Sequence, residues 1–253
     1  MIRRPLLLLI SCGGSILGAE VKPVAVIVET ATLQAPEANQ AACVNERYVY
    51  AIDSKVIAKY DRETGERVAI STGSATHLNS AFLWEGKLYC AHSNYPRQPE
   101  RSEIMVLDPE TMTLSAFKNF GEYHGSLTWV VRIGEDWWCN FAHYGANNAK
   151  TVLVKLDREW REIGAWTYPA EILKQLGQYS ISGGIWHNDC LLATGHDHRL
   201  IYRLRLPKSG TVLEYIDTIR SPFPGQGIAV DPKTDGIVGI DRGERRIIFA
   251  EFR

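Results

Sequence analysis

Imidazoles recur in this chain at the ends of alternating apolar runs. Leu88-Tyr89-Cys90-Ala91-His92, Cys139-Asn140-Phe141-Ala142-His143 and Leu192-Ala193-Thr194-Gly195-His196 each place a histidine last, while Tyr48–Asp53 and Gly236–Asp241 place a carboxylate there. His77 and His124 add two more at the starts of other apolar runs. Imidazole titrates near neutrality, so it serves as general acid, general base or metal ligand. Two or three of these groups with a carboxylate could hold a divalent metal; as a pair, one could take a proton and another return it. Sequence-local signatures of other chemistries are missing. There is no HExxH zinc motif, no Gly-Xaa-Ser-Xaa-Gly elbow and no Gly-rich phosphate loop.

The runs that carry these residues repeat. Each unit reads as short strands separated by turns, with a variable loop after the His or Asp. The units run Ala41–Ile70, His77–Phe117, His124–Trp166, Ser180–Ile216 and Gly227–Glu251. Asp61, Asp108 and Asp157 begin turns in which the carboxylate bonds nearby backbone N–H groups, a structural role. About 45 residues per four-stranded unit is the spacing of a β-propeller blade. The last unit has three strands only, Gly227–Val230, Gly236–Asp241 and Arg246–Glu251. The run Val24–Thr32 is expected to supply its fourth, closing the ring and removing an open sheet edge. The fold class is therefore all-β, a five-bladed propeller closed by an N-terminal strand, in one domain over residues 20–253. Ala170–Leu176 alone has helical spacing and reads as an insertion between blades three and four.

In a blade the innermost strand begins, and the second strand ends, on one face. On that plan His77, His124, His92, His143, His196 and the following His198 share a rim, with His187 opposite. His77, His124, His92, His143 and His196 are the candidate catalytic residues. Asp53 and Asp241 complete the second-strand positions, and Asn79, Ser126 and Gln226 stand near the inner-strand starts as candidate ligand-binding groups. The polar loops Ser93–Pro99 and Tyr144–Asn148 leave the same face, adding Asn94, Tyr95 and Tyr144, since specificity usually resides in loops on a rigid scaffold. Two readings stand. In one, the rim binds a small molecule and performs a lyase- or isomerase-type proton transfer. In the other, His92, His143 and His196 latch neighbouring blades, and a non-catalytic top face binds carbohydrate or protein. Trp129, Trp137, Trp138 and Trp186 fall inside strands and read as core between blades.

Met1-Ile2-Arg3-Arg4 followed by Pro5–Ile10 and the small residues Leu17-Gly18-Ala19 reads as an export signal cleaved after Ala19. Periplasmic or secreted localisation follows; Leu9-Ile10-Ser11-Cys12 offers a second reading as a lipobox, with Cys12 lipid-modified. The apolar run is short of the roughly 20 residues a membrane span needs. A net charge of −1 without a basic block points away from nucleic acid, and a monomer is expected. Cys43, Cys90, Cys139 and Cys190 sit singly on strands without CxxC spacing, as small buried residues do.

The segments His77-Leu-Asn-Ser-Ala-Phe-Leu-Trp-Glu-Gly-Lys-Leu-Tyr, His92-Ser-Asn-Tyr-Pro, Asp108-Pro-Glu-Thr-Met and His124-Gly-Ser-Leu resemble a group of secreted bacterial propellers, some loosely labelled cycloisomerase. The resemblance implies a propeller with lyase or isomerase activity, though these are blade motifs and specify fold far better than reaction. Plant-type glutaminyl cyclases are similar in size and blade number, but the acidic inner-strand pattern expected of that family is missing here. Calcium-binding olfactomedin-type domains are similar in blade number alone.

Overall fold

The computed structural model describes residues 26–253. The expected export signal, its cleavage site and Cys12 lie outside these residues, as do Val24 and Ala25. Five four-stranded antiparallel sheets form the ring. The first strand, β1 (Ile27–Gln34), belongs to the last sheet. Blade 1 is β2 (Ala41–Val44), β3 (Tyr48–Ile52), β4 (Ile57–Asp61) and β5 (Arg67–Ile70). Blade 2 is β6 (His77–Trp84), β7 (Lys87–Ser93), β8 (Ser102–Asp108) and β9 (Thr113–Gly121). Blade 3 is β10 (Ser126–Ile133), β11 (Asp136–Ala142), β12 (Val152–Leu156) and β13 (Glu162–Thr167). Helix α1 (Ala170–Leu176) precedes blade 4, which is β14 (Gly183–His187), β15 (Cys190–Thr194), β16 (Leu200–Arg205) and β17 (Glu214–Arg220). Blade 5 is β18 (Ala229–Asp231), β19 (Gly236–Asp241), β20 (Arg246–Phe252) and, outermost, β1.

The closing strand is the one expected, displaced slightly along the chain. It pairs antiparallel with β20 from Ile27↔Phe252 to Gln34↔Arg246, with an irregularity between Glu29 and Ala31. The first and last described residues are thus tied to each other: the Val26 and Arg253 backbones exchange both hydrogen bonds, at 3.1 and 2.8 Å. One expected strand starts later than the pattern suggests. Thr211–Leu213 bonds the backbone of Thr167 on blade 3, so the outer strand of blade 4 begins only at Glu214.

Inner and second strands are buried almost throughout, while the outer strands alternate and face water, which is why the inner sequences read as near-continuous apolar runs. Trp129, Trp137 and Trp138 are buried between blades as expected, while Trp186 is half-buried. Asp61, Asp108 and Asp157 each accept backbone N–H bonds within their own turns, and those bonds hold the carboxyls below their ordinary range. Among the described residues Cys43, Cys90, Cys139 and Cys190 are free thiols, and burial pushes Cys43 up to about 12.

The central channel is shut at the end where the inner strands begin. Ser80 on blade 2 donates to the Ser182 carbonyl ahead of blade 4, 3.4 Å away. A Cβ on Gly227, ahead of blade 5, would fall 2.3 Å from Ser80 Oγ and 2.5 Å from Ala41 Cβ. Blades 2, 4 and 5 therefore touch across the axis, and only glycine admits that approach. Neighbouring blades are sewn in the same layer. Asn79 donates to the Leu127 carbonyl at 2.9 Å, and Thr128 to the Ile181 carbonyl at 2.8 Å.

Candidate functional site

The face on which second strands end, here the top, carries the expected histidines, but most of the ring is occupied with holding blades together. Asp53 faces Arg245 of blade 5 at 3.5 Å, and Asp241 pairs with Arg199 of blade 4 at 2.9 Å. His196 accepts from Arg242 through Nε2 at 2.9 Å, meets Asp197 through Nδ1 at 2.7 Å, and stacks on Tyr179 with centroids 4.0 Å apart. His92 is buried. Its Nε2 accepts the Thr76 backbone N–H at 2.9 Å, which leaves the ring proton on Nδ1, 3.0 Å from Glu103 but out of line for a hydrogen bond. Burial lowers His92 to about 4 and raises Glu103. His92 is thus a neutral latch on the linker between blades 1 and 2. His187 lies on the opposite face beside Asp235 and Phe252, as the blade plan requires.

The polar groups stand near the inner-strand starts, as expected, and lie inside the fold. Asn79, Ser126 and Gln226 are all buried. Asn79 is spent on Leu127, and Gln226 donates to the His196 carbonyl at 2.9 Å. Ser126 Oγ is enclosed without a partner. These side chains lie in the layer that shuts the channel. Asn94 likewise shapes its own loop, donating to the Pro99 carbonyl at 2.9 Å and accepting from the Arg101 N–H at 2.8 Å.

The uncommitted groups gather over blades 2 and 3. His77 begins β6 with its ring 5.1 Å from Tyr95, and Tyr95 lies 5.0 Å from Tyr144. Burial, then the charges of His92 and Arg242, holds His77 below its ordinary value against the opposing pull of Asp53. Beyond the tyrosines two adjoining cavities of about 360 Å³ each share Glu100, His143 and Lys150. His124 and Tyr123 complete one; Tyr95, Gln98, Tyr144 and Asn147 complete the other. His143 follows β11 and its ring makes no hydrogen bond among the described residues. It packs on Gly125, where a Cβ would lie 3.0 Å from His143 Nε2 and 2.8 Å from the Ala142 carbonyl. Gly125 has φ +122°, a conformation side-chain-bearing residues rarely adopt, so glycine here both makes the turn and seats the imidazole.

His124 falls in the loop before β10 rather than on the strand, and it turns outward. Its Nε2 bonds Glu162 of outer strand β13 at 2.9 Å, and Tyr123 donates to the same carboxylate at 2.5 Å. Burial would raise Glu162, but these two hydrogen bonds outweigh it and hold the carboxyl below its ordinary value. His124 therefore does not stand with His77 at an inner rim; it lines the cleft with His143. Burial, Tyr95 and Glu100 together push the Tyr144 phenol up. The α1 insertion anchors the loop that carries the site: Asn148 donates to the Leu173 and Gly177 carbonyls at 3.1 and 2.7 Å, and Gly145 N–H to Gln178 at 2.8 Å.

Glu100, Lys150, Arg242 and Glu162 were not singled out by sequence. Glu100 and Lys150 lie immediately beyond the two polar loops that were, so extending each loop to its next strand finds them. Nothing local marks Glu162, which meets His124 from 38 residues away. Among the described residues no three His, Cys, Asp or Glu side chains gather closely enough to hold a metal ion.

No protein-family model matches the chain, and no curated protein matches it. Among solved structures it is similar to the glutaminyl cyclase of Myxococcus xanthus, with TM-score 0.61 at 11% identity over 90% of this chain and 97% of that one. A chain of a mitotic checkpoint complex aligns with TM-score 0.46 at 10% identity, over 88% and 93% of the two chains. The WD40 repeats of RRP9 align with TM-score 0.46 at 10% identity, over 84% and 79%. At such identity the likeness to the cyclase is one of fold. The chain is a five-bladed β-propeller.

Proposed function

We propose that this exported propeller acts on a small polar molecule bound over blades 2 and 3, by a lyase- or isomerase-type proton transfer. One observation carries the reading: His124 and His143 line a single cavity with Glu100 and Lys150. Proton transfer needs two ionisable side chains converging on one space, a base to remove the proton and an acid to return it. Glu162 orients the His124 ring through Nε2 and leaves Nδ1 unengaged, while the His143 ring makes no hydrogen bond among the described residues. Lys150 supplies a positive charge for a carboxylate or a developing enolate oxygen. His77, kept neutral by its surroundings, adds a third imidazole behind Tyr95.

The substrate-independent test is exchange of carbon-bound hydrogen. The purified protein is incubated in D2O with a panel of sugar acids, lactones and small dicarboxylates, and deuterium uptake or rearrangement is followed by NMR. Turnover should appear with at least one class and fall ~10²–10⁴-fold in His143→Ala. Turnover that is unchanged in both His143→Ala and His124→Ala would remove the reading. A second reading, a non-catalytic carbohydrate-binding face, is favoured by Tyr95 and Tyr123, each 40% exposed beside the cavities and able to stack on sugar rings. Saturable sugar binding that survives His143→Ala but not Tyr95→Ala, without exchange or rearrangement, identifies that case.

A further inference from the structure

A mostly apolar opening lies on the other face, where the inner strands end. All five blades contribute to a mouth of about 480 Å³, with Phe82, Trp84, Val131, Ile185 and Trp186 among its walls. The layer around Ser80 and Gly227 closes the channel at the far end, so this mouth is a blind recess. Its chemistry differs from that of the top cleft: its walls are mostly aromatic and aliphatic, its one cationic side chain is Arg132, and its polar lining also includes Asn45 and Glu85, the latter solvent-exposed in the turn between β6 and β7.

That arginine, Arg132, is stacked on aromatic rings rather than paired. Arg62, Arg199 and Arg203 each meet a carboxylate. Arg132 meets none among the described residues. Its guanidinium lies 3.9 Å over the Trp84 ring and 5.3 Å from that of Trp137, and its Nε is buried without an acceptor. Trp186, on the same wall, also has a buried indole N–H without a partner. A positive charge stacked on aromatic faces beside a largely apolar recess attracts an anionic oxygen more strongly than one in open water. The recess has the size of ordinary small-molecule sites and would take one or two rings.

We infer that the bottom mouth of the channel binds a small aromatic carboxylate, its rings against Trp84 and Trp186 and its carboxylate against Arg132. This site is independent of the top-face cleft. The test is calorimetric titration of the full-length protein with 2-naphthoate and with neutral 2-naphthalenemethanol. Naphthoate should saturate one site. Arg132→Met keeps the aliphatic stack on Trp84, so it should weaken naphthoate at least 10-fold and leave the alcohol within 2-fold, since each tenfold in affinity corresponds to one lost charge contact of ordinary size. Absence of saturable naphthoate binding, or equal affinity in wild type and variant, overturns the inference. If Arg132→Met does not fold, the indole N–H signals of the wild type decide. Naphthoate must shift those assigned to Trp84 and Trp186 through Trp84→Phe and Trp186→Phe spectra, and shifts confined to other tryptophans overturn it equally.

Discussion

Ser80 donates to the Ser182 carbonyl at 3.4 Å, joining blades 2 and 4, which are not neighbours in the ring. A five-bladed propeller is narrow enough for opposite blades to meet, and here small residues make the meeting possible. The bond converts a channel into two separate recesses with different linings. It also moves any top-face chemistry off the axis and onto the loops of blades 2 and 3.

Gly227→Ala tests this layer. The added Cβ would sit 2.5 Å from Ala41 Cβ and 2.3 Å from Ser80 Oγ, and a serine can rotate but an alanine cannot. Overpacking of this kind costs typically 1–3 kcal/mol. A matching drop in the urea midpoint, with an unchanged m-value, is expected.

Which parts of this molecule were legible in the sequence follows from how far each interaction reaches along the chain. Blade strands, the Asp61 and Asp108 turns and α1 are set by alternation and by contacts a few residues apart, and the closing strand by the one strand missing from the last repeat; all stand near their expected places. The ring residues were legible as a ring but not as individuals. Asp53 is engaged by Arg245, 192 residues away, and Asp241 by Arg199, 42 away. No local pattern announces that His92 is capped by a backbone N–H while His143 is left free. Nor does the sequence show that Asn79 bonds the Leu127 carbonyl and Gln226 the His196 carbonyl, 48 and 30 residues away.

Arg62 of blade 1 and Asp231 of blade 5 form a two-pronged pair on the bottom seam, with the aspartate buried and one contact at 2.9 Å. Arg62→Met would leave that carboxylate without its counter-charge, a loss of about 3 kcal/mol. In a double-mutant cycle, Arg62→Met with Asp231→Asn should be destabilised by clearly less than the sum of the single variants. Additive losses would show that the two side chains do not act as a pair.

Stability should fall in mild acid because of His92. Its folded-state value is about 4 against an ordinary 6.5, so from pH 6.5 downward the unfolded chain takes up a proton that the folded chain refuses. The contribution is complete above pH 6.5 and disappears as pH falls through about 4, to a total of roughly 3 kcal/mol. Glu103, raised by burial beside it, acts in the opposite sense between its ordinary 4.5 and its higher folded value, and His77 lies close enough to feel the new charge. His92→Gln keeps an acceptor for Thr76 and does not titrate. Its unfolding free energy should change less between pH 7 and 5 than that of the wild type, and an identical slope would contradict the assignment.

Gly125→Ala probes how the cleft holds His143. The methyl would press on the Ala142 carbonyl at 2.8 Å and on His143 Nε2 at 3.0 Å, at a φ of +122°. Backbone strain there costs of order 1–3 kcal/mol, and the imidazole must swing away. Binding or turnover at the top face should fall more than in Gly86→Ala, another positive-φ glycine whose Cβ meets nothing within 4 Å. Equal effects in the two variants would mean that His143 placement is irrelevant to the site.

The closing strand makes the sharpest prediction about folding. β1 supplies the fourth strand of blade 5, and its Ile27 is buried with Ile237 and Ile248 while Leu33 packs on the blade 1 core. A chain beginning at Glu37 keeps the carboxylate that Tyr60 and Arg67 contact but leaves β20 as an unpaired edge. Exposed edges of this kind pair with other chains. The truncated protein should elute as oligomers or aggregate and should lose its single cooperative melt. A synthetic peptide spanning residues 26–36 should bind it and restore the elution position of the intact protein, because the register from Ile27↔Phe252 to Gln34↔Arg246 is fixed by side chains at both ends. A peptide of the same composition in scrambled order should not. Monomeric truncated protein melting at the wild-type temperature without peptide would mean that the ring is held by its blade seams alone, and that β1 is a passenger on blade 5.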